Sequence, residues 1–375
     1  MLKLNKLVNK KLLNLKKKSH GGEIYKFSID KGKFIDFSTN INHLFALKDY
    51  NDIINEALNQ ITKYPDSDSS RLKKSLNSYF QSKLKPENFI VSSGSMELID
   101  LFGITFVQKN NKVIIYQPTF SEYEWVVKKC GGRILNVFRD EDNNFQLDFN
   151  ILKKNLSKNP KCVYICSPNN PNGYLDDRKL LEEFIFQAGE QNVLVFLDEA
   201  FIEFTGEKNS MITRIDKYPN LFVTRSFTKF FGIPGLRIGF GVSNVKIIEL
   251  LKKVQVPWPV NNIAQKLAEK LIQSKEFIKT SKEFFEKERD YVISELSNIK
   301  GFKIFPSSTN FLLINTKDTE FSSKILRKKM LKHNILIRDC SNYEGLDEYY
   351  IRIAIKSREQ NNRLIDALSS ICNQF

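Results

Sequence analysis

The sequence predicts an α/β protein, a large domain with a mostly parallel central sheet followed by a smaller α+β domain. Three observations predict it. Short apolar runs rich in Val, Ile and Phe alternate with stretches of helical periodicity between residues 89 and 242, which is how a parallel sheet covered by helices on both faces reads. The prolines of VPWPVNN, Val256–Asn262, then interrupt the chain at a natural boundary. Beyond them a long helical region precedes a strand, a helix, a strand and a helix. At 375 residues the chain can bury the core of such a two-part molecule.

Residues 1–18 hold seven lysines and no acid, with Leu4, Leu7, Val8, Leu12 and Leu15 at helical spacing. This basic extension, 1–19, reads equally as an amphipathic helix and as a tail. An arm, 20–50, follows and is expected to join the small domain. It carries His20-Gly21-Gly22 and the strand-like FIDFSTNIN at Phe34–Asn42, whose Ser38, Thr39, Asn40 and Asn42 suit a loop that meets an anion.

The large domain is expected over 51–255. Asp52–Ile61 and Arg71–Leu84 have helical periodicity, and the loop KYPDSDSS between them contains Tyr64. Phe89–Val91 reads as a strand that turns at Gly94 into a helix ending at Val107. Val113–Tyr116, Ile134–Phe138, Val163–Cys166, Val193–Leu197, Phe222–Thr224 and Leu236–Val242 read as further strands, with helices from Ser121, over Arg178–Ala188 and over Lys246–Val254. The small domain, 256–375, is expected to be helical from Ile263 to Leu296. Asn310–Asn315, Phe321–Lys332, Tyr349–Ile355 and Arg358–Ile371 then alternate strand and helix.

Composition narrows the function. Hydrophobic residues make up 41% of the chain and charged residues 27%, which is ordinary for a globular protein. No apolar run reaches membrane-spanning length, and the N-terminus lacks the apolar core of a secretory signal, so a cytoplasmic protein is expected. Of the formal charge of +15, seven units belong to residues 1–18. The rest is spread without an arginine-rich stripe or a nucleic-acid motif, so no nucleic-acid partner is expected. Five cysteines include no zinc-like CxxC pair, Cys162 and Cys166 read as reduced core thiols, and three scattered histidines make no metal site.

The chemistry centres on Ser226–Phe240, SFTKFFGIPGLRIGF. Lys229 sits among Phe227, Phe230 and Phe231, with Arg237 eight residues on. Aromatic burial and a nearby cation both disfavour the ammonium form, which makes Lys229 a candidate carbonyl nucleophile. Three further groups fall at the carboxyl ends of strands, where open α/β sheets bind ligands. Gly94, Ser95 and Met96 open a helix whose N–H groups can hold a phosphate. The turn SPNNPNG, Ser167–Gly173, directs Asn169 and Asn170. Asp198 ends the apolar run VLVFL and needs a partner if buried. An apolar run ending in Asp-Glu also occurs in P-loop ATPases, but Phe27 stands where the glycine of G-x-x-x-x-G-K ahead of Gly32-Lys33 is required. Together these groups suit pyridoxal 5′-phosphate: an aldehyde for Lys229, a pyridine nitrogen for Asp198, a phenolic oxygen for Asn170, and a phosphate for Gly94–Met96, Ser226 and Arg237.

With SPNNPNG, DEAF and SFTKFFGIPGLRIGF in this order, the chain from His20 onward resembles the class I/II aminotransferase family of fold-type I pyridoxal-phosphate enzymes. The resemblance implies Lys229 as Schiff-base lysine, Asp198 against the pyridinium, Asn170 on the ring oxygen and Phe120 of QPTF stacked on the ring. It also implies Ser95, Met96, Ser226 and Arg237 at the phosphate, and Arg352 of YYIRIAI on the substrate carboxylate. Tyr64 is similar to the tyrosine that reaches a neighbouring subunit's phosphate, which implies a homodimer.

Within the family HGG at 20–22, DFSTNIN at 36–42, Phe201 of DEAF and IRDC at 337–340 resemble the threonine-phosphate decarboxylases of the histidinol-phosphate aminotransferase branch. That resemblance implies His20, Asn40 and Arg338 on a substrate phosphate. NINHLF stands where the decarboxylases typically read NINPLG, and the lysine-rich extension precedes HGG. Both departures lie on the substrate side and leave serine phosphate open beside threonine phosphate. The expected reaction is α-decarboxylation of an O-phosphorylated hydroxy amino acid to the aminoalkyl phosphate. The alternative is an aminotransferase acting on histidinol phosphate or another small phosphorylated amine. A basic binding protein without chemistry would not need the intact lysine, aspartate, asparagine and arginine set.

Overall fold

The computed structural model describes residues 8, 15, 21–22, 34–81 and 83–372. His20 and most of the stretch from Leu4 to Leu15 lie outside the described residues. The arm contributes the two-residue strand β1 (Ile35–Asp36) and leads to α1 (Asn51–Leu58) and α2 (Ser70–Phe80). Next come β2 (Phe89–Ser92), α3 (Ser95–Phe106), β3 (Lys112–Gln117), α4 (Glu122–Cys130), β4 (Arg133–Phe138) and α5 (Phe149–Leu156). They are followed by β5 (Cys162–Cys166), α6 (Arg178–Glu190), β6 (Leu194–Asp198), β7 (Leu221–Ser226), β8 (Gly239–Ser243) and α7 (Val245–Lys252).

Strands β2 to β8 form one sheet in the order β2-β8-β7-β6-β5-β3-β4. Every residue of β5 and β7 is buried, because helices cover both faces and leave no solvent side to alternate with. One strand departs from the parallel pattern: β8 pairs antiparallel with both β2 and β7. It also starts at Gly239 rather than at the expected Leu236. Pro234–Leu236 forms a single 3-10 turn and Arg237 takes a left-handed φ of 54°, so the chain reverses there instead of extending. The reversal folds the segment after Lys229 back against β2 and the start of α3.

The helical region after the proline break divides into α8 (Asn262–Ile272) and α9 (Lys275–Leu296). Helix α8 lies against α1 and α2, where Lys266 pairs with Glu56, Arg71 pairs with Glu269 at 3.3 Å and Gln273 donates to Ser75 at 3.2 Å. Beyond it come β9 (Lys303–Ile304), β10 (Phe311–Asn315), α10 (Ser323–Leu331), β11 (Ile335–Leu336), β12 (Arg338–Asp339), β13 (Tyr350–Ala354) and α11 (Arg358–Cys372). An antiparallel sheet runs β12-β13-β10-β9. Strand β1 pairs with β11, and the Phe37 carbonyl accepts from the Ala354 N–H at 2.9 Å, so the arm is stitched along this smaller sheet. Among the described residues no helix is long and apolar enough to cross a membrane.

A buried charge cluster lies directly behind the ends of β6 and β7. The Arg225 side chain is fully buried and donates to Glu199 Oε2 at 3.1 Å and bidentately to Glu207 at 2.7 Å, with Glu203 Oε1 at 3.5 Å. The ring of Phe80 lies 5.1 Å below the guanidinium. One cation cannot balance three carboxylates, and burial pushes Glu203 up to about 8 against the attraction of Arg225. The folded protein therefore keeps a proton on Glu203 that the unfolded chain releases above its ordinary 4.5. Through this group stability falls as pH rises from about 4.5 towards 8.

Arg225→Met is expected to lower the unfolding free energy by about 3–5 kcal/mol in urea titrations, because it leaves the carboxylates without their cation. Glu203→Gln is expected to fold and to flatten the decline in stability across that pH window.

Candidate active site

The carboxyl ends of β3, β5, β6 and β7 face one cavity of about 410 Å³. Asp198, the last residue of β6, is 3% exposed and lines its floor. The Tyr123 hydroxyl donates to its Oδ2 at 2.6 Å and the Ala200 N–H to its Oδ1 at 2.9 Å. Burial still dominates and raises the carboxyl to about 6, with these bonds and Lys229 pulling it down.

The turn after β5 gives its two asparagines different tasks. Asn169 is fully buried; its amide donates to the Pro118 carbonyl at 3.0 Å and to Asn172 at 2.7 Å and accepts from Thr119 at 2.8 Å, so it fixes the turn. Asn170 faces the cavity.

Lys229 follows β7 in a turn whose neighbours Phe227, Phe230 and Phe231 are all buried and pack on one another and on Phe204, Phe240 and Phe277, away from the cavity lining. The amine is lowered to about 8, first by burial and then by Arg352 and Arg237, with Asp198 opposing them. The cation Arg237 was legible in the sequence. Arg352 is more than a hundred residues away along the chain and gave no local signal.

At one end of the cavity Ser95, Met96, Ser226, Thr228 and Arg237 converge. The Ser226 and Thr228 hydroxyls are 2.7 Å apart. Gly94 does not line the cavity. It has φ +78°, and a Cβ there would lie 2.7 Å from Arg237 Nη2, so its contribution is to let the guanidinium cross the start of α3.

At the other end, Arg338 of β12 and Arg352 of β13 are direct cross-strand partners, 8% and 6% exposed, and both line the cavity. Arg352 donates through Nη1 to Asn170 Oδ1 and through Nη2 to the Ser38 carbonyl at 2.9 Å. Arg338 donates to Asn342 Oδ1 at 2.9 Å. Asn40 Oδ1 and Arg352 Nε are buried without a hydrogen-bond partner. Phe120 and Phe201 line the walls, Phe201 packed edge-on against Phe311 at 4.9 Å. Tyr64 is elsewhere, exposed and stacked on Trp258 at 4.4 Å.

Sequence reasoning missed Tyr343, whose hydroxyl donates to Asn170 Oδ1 at 3.2 Å, and Tyr123, the donor to Asp198. Glu122 and Cys166 also line the cavity. Tyr123 stands three residues after Phe120 and could have been sought on that ground; nothing near Tyr343 singles it out.

The arrangement fits pyridoxal 5′-phosphate on its donor set: hydroxyls and a guanidinium at a helix start, a buried carboxylate on the floor, a weakly basic amine beside it and aromatic walls. In the apoprotein, reductive trapping of a small aldehyde followed by peptide mapping should label Lys229 with a midpoint near pH 8. Arg352→Met should raise that midpoint by removing one of the cations that disfavour the ammonium.

Residues 32–368 match the family model for aminotransferase class I and II. The histidinol-phosphate aminotransferase of Thermoanaerobacter pseudethanolicus is 35% identical over 326 residues, 87% of this chain and 88% of its own. The threonine-phosphate decarboxylase of Salmonella typhimurium is 31% identical over 358 residues, 94% of this chain and 96% of its own. The crystal structure of the histidinol-phosphate aminotransferase from Clostridium acetobutylicum superposes with a TM-score of 0.85 at 33% identity, covering 91% of this chain and 100% of that one. A matching family model over nearly the whole chain, on a fold with the cofactor-compatible cavity at its strand ends, places this protein in the aminotransferase class I and II family of fold-type I enzymes, which work with pyridoxal 5′-phosphate.

Proposed function

We propose that the protein is a decarboxylase of a small amino acid that carries a phosphate, L-threonine O-3-phosphate or L-serine phosphate, releasing CO₂ and the aminoalkyl phosphate. The observation that carries this reading is the register of Arg338 against Arg352. Directly opposed residues of an antiparallel pair project from the same face with Cβ atoms only about 4.5–5.5 Å apart. Two guanidiniums so placed suit a short substrate with two anionic ends, a carboxylate for Arg352 and a phosphate for Arg338 with Asn40. Histidinol phosphate has a phosphate but no carboxylate.

In this reading Ser95, Met96, Ser226 and Arg237 would hold the cofactor phosphate, Phe120 and Phe201 its ring, Asp198 its ring nitrogen and Asn170 its ring oxygen. Bound there, the cofactor supplies a carbonyl for Lys229 or the substrate amine and a ring that accepts an electron pair from Cα. Arg338 and Arg352, by fixing both ends of the substrate, orient Cα so that the bond to the carboxylate is the one that breaks. The carboxylate leaves as CO₂, and Lys229 Nζ returns a proton to Cα. Tyr64, on the surface, is the residue through which a second copy would complete the phosphate site in a homodimer.

The second reading, an aminotransferase acting on a small phosphorylated amine, draws support from relatives of that name at comparable identity. In that reaction the Cα–H bond breaks instead, with the same lysine as base.

The test is to incubate the cofactor-loaded protein with serine phosphate and threonine phosphate without a keto acid. Sustained release of CO₂ and amine is expected and would rank the two substrates. No CO₂, with conversion of the cofactor to its amine form by an amino donor, would replace this reading with the aminotransferase. Lys229→Ala is expected to abolish turnover and the retention of cofactor on the chain after borohydride. Arg338→Ala should raise KM for the phosphorylated substrate roughly 10- to 100-fold, the loss of one charge-assisted contact, and an equal effect on analogues without phosphate would count against its role.

A further inference from the structure

The arm residues Asp36–Leu44 touch both Arg352 and the turn that carries Lys229. At one end the Ser38 carbonyl accepts from Arg352 Nη2 at 2.9 Å. At the other, the Asn42 N–H donates to the Lys229 carbonyl at 2.9 Å, and Asn42 Nδ2 donates to the Phe230 carbonyl at 2.8 Å and to Ser281 Oγ at 2.9 Å. Asn42 Oδ1 accepts from the Leu44 N–H at 2.8 Å, so each polar atom of the 1%-exposed side chain is used.

Lys229 and Phe230 lie in the turn after β7, outside any helix or ladder, so their carbonyls depend on contacts from elsewhere. The arm lies flat on that turn: a Cβ at Gly232 would fall 2.6 Å from the Asn42 carbonyl oxygen and 2.8 Å from Phe45 Cβ. Ahead of its first anchor point the arm is braced by Asp36, whose carboxylate accepts from the Ser38 N–H at 2.8 Å, the Ser38 hydroxyl at 2.6 Å and the Thr39 hydroxyl at 3.2 Å.

We propose that Asn42 is a positioning residue: it clamps the Lys229 turn to the arm that also holds Arg352, and so sets the distance between the lysine and the group that anchors the substrate carboxylate. The proposal rests on the reading of Lys229 as the residue that carries the cofactor. It adds a reason for the sequence Asn-Ile-Asn at 40–42, in which Asn40 faces the cavity and Asn42 faces the turn. Loss of the side-chain bond to the Phe230 carbonyl leaves the turn held by the Asn42 N–H alone and lets Lys229 drift while Arg352 stays, and a displacement of about 1 Å suffices to cost 10²-fold in rate.

The experiment uses the cofactor-loaded full chain with Asn42→Ala, the isosteric Asn42→Asp, which sets an oxygen against the Phe230 carbonyl, and Ser281→Ala, which removes one partner of Asn42 and leaves both bonds to the turn. Three quantities are read: the urea midpoint, the pH titration of the cofactor's visible absorbance without substrate, and the ratio of CO₂ released to cofactor converted to its amine form. For both Asn42 variants the absorbance titration should move, kcat should fall about 10- to 100-fold with KM little changed, and the share of turnovers ending in the amine form should rise. Ser281→Ala should lose stability but keep the wild-type titration and ratio.

An Asn42 variant that titrates as wild type and loses rate only in proportion to its unfolded fraction would overturn the proposal, as would Ser281→Ala moving the titration equally. Failure of the underlying reading is separable, because it would show as an unchanged visible spectrum in Lys229→Ala.

Discussion

Two arginines stand directly opposite each other on neighbouring antiparallel strands, both nearly out of water. Like charges so placed repel, and only their surroundings make the pair tolerable. Much of the cavity can be read as that accommodation. Arg352 is spread over Asn170, the Ser38 carbonyl and the face of Phe311, and Arg338 leans on Asn342 and the ring of Tyr343. The two guanidiniums direct positive potential into the cavity they line, which favours an anionic ligand there.

The same potential explains the lysine. A buried amine at the edge of this field gives up its proton more readily than one in water, and Asp198 is close enough to moderate the effect without reversing it. The aspartate is held in turn by Tyr123 and the Ala200 N–H, so a carboxyl that burial alone would keep protonated can still ionise near neutral pH. The potential in the cavity and the weak basicity of Lys229 are therefore one electrostatic arrangement. A change at Arg352 alters both.

How much of this was legible in the sequence follows from how local each signal is. Lys229 with its flanking phenylalanines, Asp198 after an apolar run and the proline-rich turn at 167–173 each declare themselves within a few residues. The antiparallel course of β8 was not legible, because it depends on a left-handed residue, Arg237, that the apolar pattern reads straight through. The division of labour between Asn169 and Asn170 is invisible in a dipeptide and appears only when Thr119 and the Pro118 carbonyl take the first of them. The same holds for Tyr343 and for the influence of Arg352 on Lys229, which arise from strand pairing across the smaller sheet. The role of Asn42 was hidden most deeply, since its partners are 188 and 239 residues away along the chain.

The placement of β8 between β2 and β7 also bears on how the molecule is born. On the ribosome β2 emerges early but has no neighbour until the segment at 239–243 follows it, and β1 waits longer still, for the segment around 335. Pairings so distant along the chain close late and slowly. The half of the cavity built on the large sheet can therefore take shape while the half built on the smaller sheet is still being synthesised, and until β8 emerges the nascent chain carries an open edge at β7 that a chaperone would be expected to cover.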